Sequence, residues 1–333
     1  MTNIRIVEGS YKIRGKDTDM QGLVFPLVEE FKVGASGGYV TVDGAAINGF
    51  PDRNIKIKVA GPEGYEKVGE NVKTTNREES DAEIIERIRE RFDMLKDMTK
   101  AVKKGDVRAM IVSGPPGVGK SHGVEEVLDR YNTMQMLGGG QQFEVIKGAM
   151  SPIGLYCKLF KMADKGKVVV FDDCDSIFQD ELSLNILKAA LDSKKKRTIH
   201  WNTDSFKLRN EGVPDQFNFE ASAIFITNLK FDKVKGKLRE HLSALESRCH
   251  YMDLTIDTDK DKILRIKQVV GDGMLNNYKL SDEVKEDIMD FVDVNKNRLR
   301  ELSLRTVLKI SDLAIAFPTK WEAMAENTVM RRA

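Results

Sequence analysis

One octet, residues 114–121, constrains the fold of this chain more than any other part of its sequence. It reads Gly-Pro-Pro-Gly-Val-Gly-Lys-Ser and matches the pattern G-x-x-x-x-G-K-[ST] at every fixed position. An apolar run, residues 108–113, precedes it, and Val124, Val127 and Leu128 follow at helical spacing. The octet therefore lies between a predicted buried strand and the start of a predicted helix, which is the context that a phosphate-binding loop requires.

The residue types of the octet suit contact with phosphate oxygens. Its glycines let the backbone curl so that several N–H groups point at one anion, and the N-terminus of the following helix adds positive potential. We expect Lys120 to reach the β- and γ-phosphates of a nucleotide and Ser121 to hold Mg²⁺. A coincidental Gly/Pro turn is the alternative, and the flanking strand and helix argue against it. The predicted nucleotide-binding set is the whole octet: Gly114, Pro115, Pro116, Gly117, Val118, Gly119, Lys120 and Ser121.

Bulk properties limit the classes of protein that need to be considered. A chain of 333 residues, 41% of them hydrophobic, has room for about two globular domains. The formal net charge is only +1, so any nucleic-acid site must be a local patch. No apolar run is long enough to cross a bilayer, and three scattered cysteines suit a reducing compartment. We therefore expect a cytoplasmic protein with no membrane partner, no disulfide framework and no zinc site.

Composition and periodicity divide the chain into three predicted parts. Residues 1–78, rich in glycine and short β-like runs, predict a small, mostly β appendage or a partly disordered arm. Residues 79–255 alternate strands with helices, which predicts an α/β domain with a parallel sheet and helices on both faces. Residues 256–333 show only helical periodicity and predict a C-terminal helical lid of three helices, which are marked by Ile263 and Ile266, by Val284 and Ile288, and by Val307 and Ile310. The predicted strands of the middle part are 108–113, 143–147, 167–171, 223–227 and 249–254.

A helix is predicted to lead into the α/β part. The polar stretch 67–79 predicts a linker, and Ser80 and Glu83 then have the spacing of a capping box. Apolar residues follow at intervals of three and four, which predicts an amphipathic helix up to about Val102.

Polar side chains follow two of the predicted strands. The run 167–171 is succeeded by Asp172 and Asp173, and the run 223–227 is succeeded by Asn228. We expect Asp172 to support Mg²⁺, Asp173 to orient the attacking water and Asn228 to bond that water or the γ-phosphate. The alternatives are a core strand that ends in a solvated turn and ordinary turn chemistry at the asparagine.

In this order the motifs resemble those of the AAA+ ATPase family, over roughly residues 80–315. Residues 114–121 match the family's Walker A motif, residues 168–173 its Walker B motif, and Asn228 its sensor 1. The resemblance implies a P-loop NTPase fold, ATP and Mg²⁺ as ligands, and ATP hydrolysis. The runs around Asp172 and residues 187–193 are similar to those of AAA+ proteins encoded by bacteriophages.

The same resemblance implies roles for two arginines. Residues 242–249 end in Ser-Arg-Cys, as does the matching segment of clamp-loader ATPases, and this implies that Arg248 is an arginine finger for a neighbouring subunit. Arg239 is the fallback, and a surface ion pair is the alternative role for Arg248. Residues 302–305 resemble the sensor 2 segment of MoxR-like proteins and imply that Arg305 reaches the nucleotide. Arg300 competes, because residues 299–302 resemble the sensor 2 run of enhancer-binding ATPases.

One feature departs from the family pattern. Walker B usually ends in Asp-Glu, whereas this chain has Asp172 followed by Asp173, so the second carboxylate stands on a shorter stem. A displacement of ~1 Å can cost about a hundredfold in rate. Slow hydrolysis, a share of the role for Asp175, or a nucleotide-gated switch with weak turnover are the open alternatives.

A finger that acts on a neighbour implies a homo-oligomeric ring, by family resemblance a hexamer. The loop 147–153 lacks the aromatic-hydrophobic pair of protein-unfolding members. Residues 193–209 combine a basic run with Trp201, which suits a nucleic-acid strand with a stacked base, or equally a helix C-terminus followed by a core tryptophan.

The leading hypothesis is an ATPase ring that remodels a protein partner selected by residues 1–78. The alternative is a nucleic-acid motor or loader in replication or recombination.

Overall fold

The computed structural model describes residues 2–13, 15–69, 72, 74, 79–135, 142–203 and 205–332, with the backbone alone for 131–135. The chain divides into two compact units, Met1–Glu86 and Arg87–Ala333. Most of the predicted linker, 67–79, lies outside the described residues, and its first two residues belong to a strand.

The first unit is an antiparallel β structure, as predicted. In β6 the isoleucines Ile55 and Ile57 are buried while the residues between and beside them are exposed, the alternation expected of a sheet with one covered face. Its buried side chains, among them Ile4, Phe25 and Val40, form a hydrophobic core. The strands are β1 (Asn3–Ile6), β2 (Ser10–Ile13), β3 (Lys16–Asp19), β4 (Val24–Gly34), β5 (Gly37–Asp43), β6 (Asn54–Lys58) and β7 (Tyr65–Val68), in the spatial order β3-β2-β6-β5-β4-β1-β7.

Helix α1 (Asp81–Lys104) begins at the predicted capping box. The backbone N–H of Ser80 donates to the Glu83 carboxylate at 3.0 Å, and the backbone N–H of Glu83 donates to the Ser80 hydroxyl at 3.3 Å. These reciprocal bonds satisfy two donors that a helix start otherwise leaves unpaired.

The second unit is built on a five-stranded parallel sheet with helices on both faces, which confirms the predicted fold class. Strands β8 (Ala109–Ser113), β10 (Val168–Asp172) and β13 (Ser222–Thr227) are buried along their whole length, as expected of central parallel strands. The ends of the five strands of this sheet lie within one residue of their predicted positions, whereas strands β11 (Thr198–His200) and β12 (Gln216–Asn218) were not predicted. The elements are β8 (Ala109–Ser113), α2 (Lys120–Gln135), β9 (Phe143–Lys147), α3 (Pro152–Lys161), β10 (Val168–Asp172), α4 (Ser176–Gln179), α5 (Glu181–Ala190), β11 (Thr198–His200), α6 (Phe206–Asn210), β12 (Gln216–Asn218), β13 (Ser222–Thr227), α7 (Lys237–Glu246) and β14 (His250–Asp253).

The strand order places the predicted site residues at one edge of the sheet. The order is β14-β8-β13-β10-β9, so β13 lies between β8 and β10. The rings of Phe171 and Phe225 stack across β10 and β13 with centroids 5.3 Å apart, which fixes the register of the two strands deep in the core. The carboxyl ends of β8, β10 and β13 therefore open onto the same crevice.

A two-stranded hairpin, β11 and β12, is inserted between α5 and β13. Trp201 is partly buried and lies against Tyr156, with ring centroids 5.4 Å apart. Arg197 is buried and donates to the carbonyls of Ala190 and Ala221. Two side chains of the predicted basic and aromatic stretch 193–209 therefore pack within the fold: Arg197 is buried and Trp201 packs against the core.

The C-terminal helices pack around their own hydrophobic core, which includes Ile288, Ile310 and Trp321. The sequence pattern predicted three of the four helices. The fourth, α11, carries only a narrow apolar stripe. They are α8 (Asp259–Val269), α9 (Asp282–Val294), α10 (Leu304–Ala316) and α11 (Trp321–Val329).

Two further observations concern the chain as a whole. Among the described residues, no helix combines the length and apolarity that a membrane span needs. All three cysteines fall within the described ranges and are free thiols: Cys157, Cys174 and Cys249.

Candidate active site

A cavity of about 710 Å³ lies where the three strand ends meet the C-terminal helices. The phosphate loop, Asp172, Asp173 and Asn228 line one part of it, and residues of α1, α8 and α10 line the rest. Arg305 lies on the wall formed by α10. The structure thus brings together the predicted loop, both acids, the asparagine and one of the two competing arginines.

The ammonium group of Lys120 is the buried charge at the centre of this cavity. It donates to the carbonyls of Gly114 and Pro115 at 2.7 and 2.8 Å and to the amide oxygen of Asn228 at 2.8 Å. Burial lowers the pKa of Lys120 to about 8, against the opposing effect of the Asp173 and Asp172 carboxylates. Two loop carbonyls and the Asn228 amide oxygen therefore occupy the three donors that the ammonium would offer to phosphate.

The Ser121 hydroxyl donates to the Asp172 carboxylate at 3.0 Å. Asp172 is buried, and the second oxygen of its carboxylate lies 3.3 Å from the ammonium of Lys147, which also pairs with Glu125. A hydroxyl and a carboxylate are the hard oxygen ligands that Mg²⁺ prefers, so this pair fits the metal. No local sequence pattern indicates the Lys147 contact, because the contact joins the end of β9 to the end of β10.

Asp173 has a left-handed backbone, with φ of 53°, and no other described non-glycine residue has a positive φ. Such a conformation in a non-glycine residue costs of order 1–3 kcal/mol and is concentrated at functional sites. Here it is held by the backbone N–H of Asp173, which donates to the Ile226 carbonyl at 3.0 Å. The conformation turns the exposed carboxylate toward the crevice that it lines.

Asn228 links the two sides of the site. Its amide oxygen accepts from Lys120, while its amide nitrogen donates to the Asp173 carboxylate at 2.9 Å. Asn228 thus uses both ends of its amide, and it couples the loop lysine to the predicted water-orienting acid.

Asp175 occupies a separate position beside this chain of contacts. Its carboxylate accepts from the Thr227 hydroxyl at 2.6 Å, and burial raises its pKa. Asp175 is absent from the cavity wall, so its visible role is to hold the end of β13 next to Asn228.

The four candidate arginines lie in different settings. Arg305 lines the cavity, whereas Arg300 donates to the Met330 carbonyl within the helical part. Arg248 is exposed just after α7 and donates to the Ala244 carbonyl at the end of its own helix. Arg239 is tied to the Phe231 carbonyl and to Glu246.

The start of α10 rests directly on the phosphate loop. The backbone N–H of Leu304 donates to the Gly117 carbonyl at 3.0 Å. Gly117 has φ of 69°, and a Cβ at this position would lie 2.7 Å from the Ser303 Cβ and 2.9 Å from its hydroxyl oxygen. The loop therefore needs glycine here for two reasons, backbone conformation and the close approach of the helical part.

The chain shares 35% identity with the uncharacterized 36.7 kDa protein of the nrdC-mobD intergenic region of Enterobacteria phage T4, over 260 residues that cover 77% of this chain and 78% of that protein. No protein-family model matches the sequence of this chain.

Three solved structures are similar in part. Domain III of the replication initiation protein DnaA from Thermotoga maritima is 10% identical, with a TM-score of 0.41 over 72% of this chain and 92% of that one. A DNA replication initiation factor is 14% identical, with a TM-score of 0.39 over 73% of this chain and 65% of that one. The Aeropyrum pernix ORC1 protein in complex with DNA is 12% identical, with a TM-score of 0.40 over 73% of this chain and 62% of that one. The chain spans under two thirds of the latter two.

Replacement of Gly117 by alanine tests the contact between loop and lid. We expect Gly117→Ala to lower the free energy of unfolding by about 2–4 kcal/mol, since it combines left-handed strain with overpacking against Ser303. The matched control is Gly212→Ala, where φ is 65° and a Cβ would meet no atom within 4 Å. Strain alone should cost the control about 1–2 kcal/mol.

The free energy of unfolding of both variants is measured by urea unfolding, which is followed by tryptophan fluorescence. Trp201 and Trp321 both lie in the second unit, so the signal reports that unit alone. Equal losses for the two variants would show that the start of α10 does not rest on the loop in solution.

Proposed function

The chain belongs to the family of the 36.7 kDa phage T4 protein, and we propose that it is an ATP-binding and ATP-hydrolysing protein of the AAA+ type. One observation carries the proposal: Lys120, Asp172, Asp173 and Asn228 line one cavity with the phosphate loop, at the carboxyl ends of adjacent parallel strands. The motif order, the sheet order and the helical part over the loop support the AAA+ resemblance.

The contacts suggest how the residues act on the nucleotide. The triphosphate replaces the Gly114 and Pro115 carbonyls as the partner of the Lys120 ammonium, and the loop N–H groups bind the β-phosphate oxygens. Ser121 and Asp172 would hold Mg²⁺, which would supply positive charge to the phosphate oxygens. Asp173, oriented by Asn228, positions a water for attack on the γ-phosphorus, which breaks the bond to the β,γ-bridging oxygen and yields ADP and phosphate. Arg305 adds positive charge from α10.

Replacement of Lys120 tests this proposal. We expect Lys120→Ala to weaken MgATP binding at least tenfold, because a charged hydrogen bond contributes about 1.5–3 kcal/mol, and to abolish phosphate release. Lys230→Ala is the matched control, since Lys230 follows Asn228 closely but pairs with Asp257 outside the cavity. Binding by calorimetry and phosphate release by a coupled assay are measured on both. Normal binding and turnover in Lys120→Ala would disprove the assignment.

We propose further that copies of the chain assemble into a ring, with Arg248 acting on the neighbour's nucleotide. Arg248 is exposed, holds only its own helix end and is absent from the cavity wall of its own chain, as expected of a finger in trans. Arg239 is a weaker candidate because it is already engaged with Glu246. A repeated head-to-tail contact closes into a ring, and the family resemblance suggests six members.

Mixing two inactive variants tests the finger. We expect Arg248→Ala and Asp173→Asn each to bind MgATP and to lack turnover when alone. Mixed rings should regain part of the phosphate release, because some sites combine an intact Asp173 with an intact Arg248 from the neighbour. Full turnover by Arg248→Ala alone, or no recovery on mixing, would remove Arg248 from this role.

For the macromolecular partner we propose single-stranded nucleic acid in place of the protein partner that the sequence slightly favoured. Trp201 packs in the core, but Phe206 at the start of α6 is 72% exposed. The exposed cations Lys207 and Arg209 follow it on the same short helix. An exposed aromatic ring beside basic side chains suits a strand of stacked bases. In the loop 147–153, by contrast, Met150 and Ile153 pack against the core, which argues against an unfoldase.

DNA stimulation of turnover tests the partner. We expect single-stranded DNA at low salt to raise ATP turnover, and Phe206→Ala to weaken DNA binding by about tenfold or more, since stacking contributes about 1–3 kcal/mol per base. The matched control is Phe317→Ala, a partly exposed phenylalanine that lies beside Lys320 on another surface. Turnover that DNA leaves unchanged would contradict this partner and favour a protein bound by residues 1–78.

A further inference from the structure

The cavity extends beyond the phosphate loop into a second region between α1, α8 and α10. Phe92 and Asp93 of α1, Arg265 and Gln268 of α8, and Leu308 of α10 line this region. None of these residues belongs to the motifs that the sequence analysis identified. The region adjoins the loop, because a Cβ at Gly119 would lie 3.6 Å from an Arg265 nitrogen and 3.9 Å from the Phe92 ring.

The guanidinium of Arg265 lies over an aromatic ring in this region. Its guanidinium carbon is 3.5 Å from the centroid of Phe92, which is the distance of direct stacking. Arginine stacks well on π systems because its charge is delocalised and weakly hydrated. Phe92 covers one side of the guanidinium, and both residues line the cavity, where a planar ligand group can reach them.

The hydrogen bonds of Arg265 are incomplete. One terminal nitrogen donates to the Gln268 side-chain oxygen at 2.9 Å, and the buried Nε has no hydrogen-bond partner. A buried donor left without an acceptor costs roughly 1–3 kcal/mol, more if charged, so its retention calls for a reason. Burial lowers the pKa of Arg265 to about 10, and the nearby Asp272 and Asp93 oppose that shift, so the group is still cationic at neutral pH.

We infer that Arg265, backed by Phe92, is the stacking surface for the base of the bound nucleotide. The base lies on the free face of the guanidinium, and a ring nitrogen or a ribose oxygen accepts from the donors that the protein leaves unpaired. Arg265 thereby contributes to affinity for the nucleoside part, whereas Lys120 and the loop bind the phosphates. This inference rests on the proposed nucleotide site and assigns the second region of the same cavity.

Inorganic tripolyphosphate separates the two regions of the cavity, because it carries the phosphates without base or ribose. We expect Arg265→Ala to weaken MgATP binding about tenfold and to leave Mg-tripolyphosphate binding within about twofold of the unmodified protein. Arg265→Lys keeps the charge but loses the plane, so it should behave like Arg265→Ala. Lys267→Ala is the matched control, since this cation of the same helix pairs with Asp293 and is absent from the cavity wall.

The other possible outcomes of this binding experiment would contradict either the inference or the proposed function. Equal weakening of both ligands would place Arg265 at the phosphates and overturn the inference. Unchanged affinity for both ligands would make the Phe92 stack purely structural and would also overturn it. If Arg265→Ala does not fold, which tryptophan fluorescence would show, Arg265→Lys and Phe92→Leu replace it. The ratio of MgATP affinity to Mg-tripolyphosphate affinity is then measured on those two variants. Failure of the unmodified protein to bind tripolyphosphate would instead contradict the proposed function.

Discussion

The buried ammonium group of Lys120 is the constraint on which the rest of the site depends. An unpaired cation in this position would be too costly to bury, so the fold supplies three oxygen acceptors from Gly114, Pro115 and Asn228. Two of these acceptors are carbonyls of the loop itself, and the third comes from the end of β13. The loop can therefore remain folded without a ligand, and a triphosphate has only to exchange one set of oxygens for another.

The phosphate loop that carries Lys120 is connected by hydrogen bonds to two other parts of the second unit. Through Asn228 they reach Asp173, whose left-handed backbone is held by the end of β13. Through Gly117 the loop reaches the start of α10, and from there the helical core around Ile310. The loop is thus connected by hydrogen bonds both to Asp173, the acid proposed to orient water, and to the C-terminal helices. In the proposed function, these contacts would relay the state of the bound nucleotide to both.

The strands and the phosphate loop of the α/β part were predicted well because short, continuous stretches of sequence specify them. Uninterrupted apolar runs fix parallel strands such as β8 and β10, and the loop motif fixes the turn between β8 and α2. Helix α11 was missed because its apolar stripe consists of Trp321, Ala325 and Val329, with polar residues between them.

Other features depend on contacts between residues far apart in sequence. The stack of Arg265 on Phe92 and the pairing of Lys147 with Asp172 join separate elements, which no spacing rule connects. For the same reason, the basic and aromatic residues of 193–209 did not show that Trp201 turns inward while Phe206 turns outward.

If the proposed site is correct, the Lys120 ammonium exchanges its carbonyl partners for a triphosphate. A crystal structure of the protein with Mg²⁺ and a non-hydrolysable ATP analogue would show this exchange. We expect phosphate oxygens within hydrogen-bond distance of the Lys120 ammonium and the loop N–H groups, with Mg²⁺ beside Ser121 and Asp172 and the base on Arg265. A nucleotide bound elsewhere, with Lys120 still bonded to the Gly114 and Pro115 carbonyls, would contradict it.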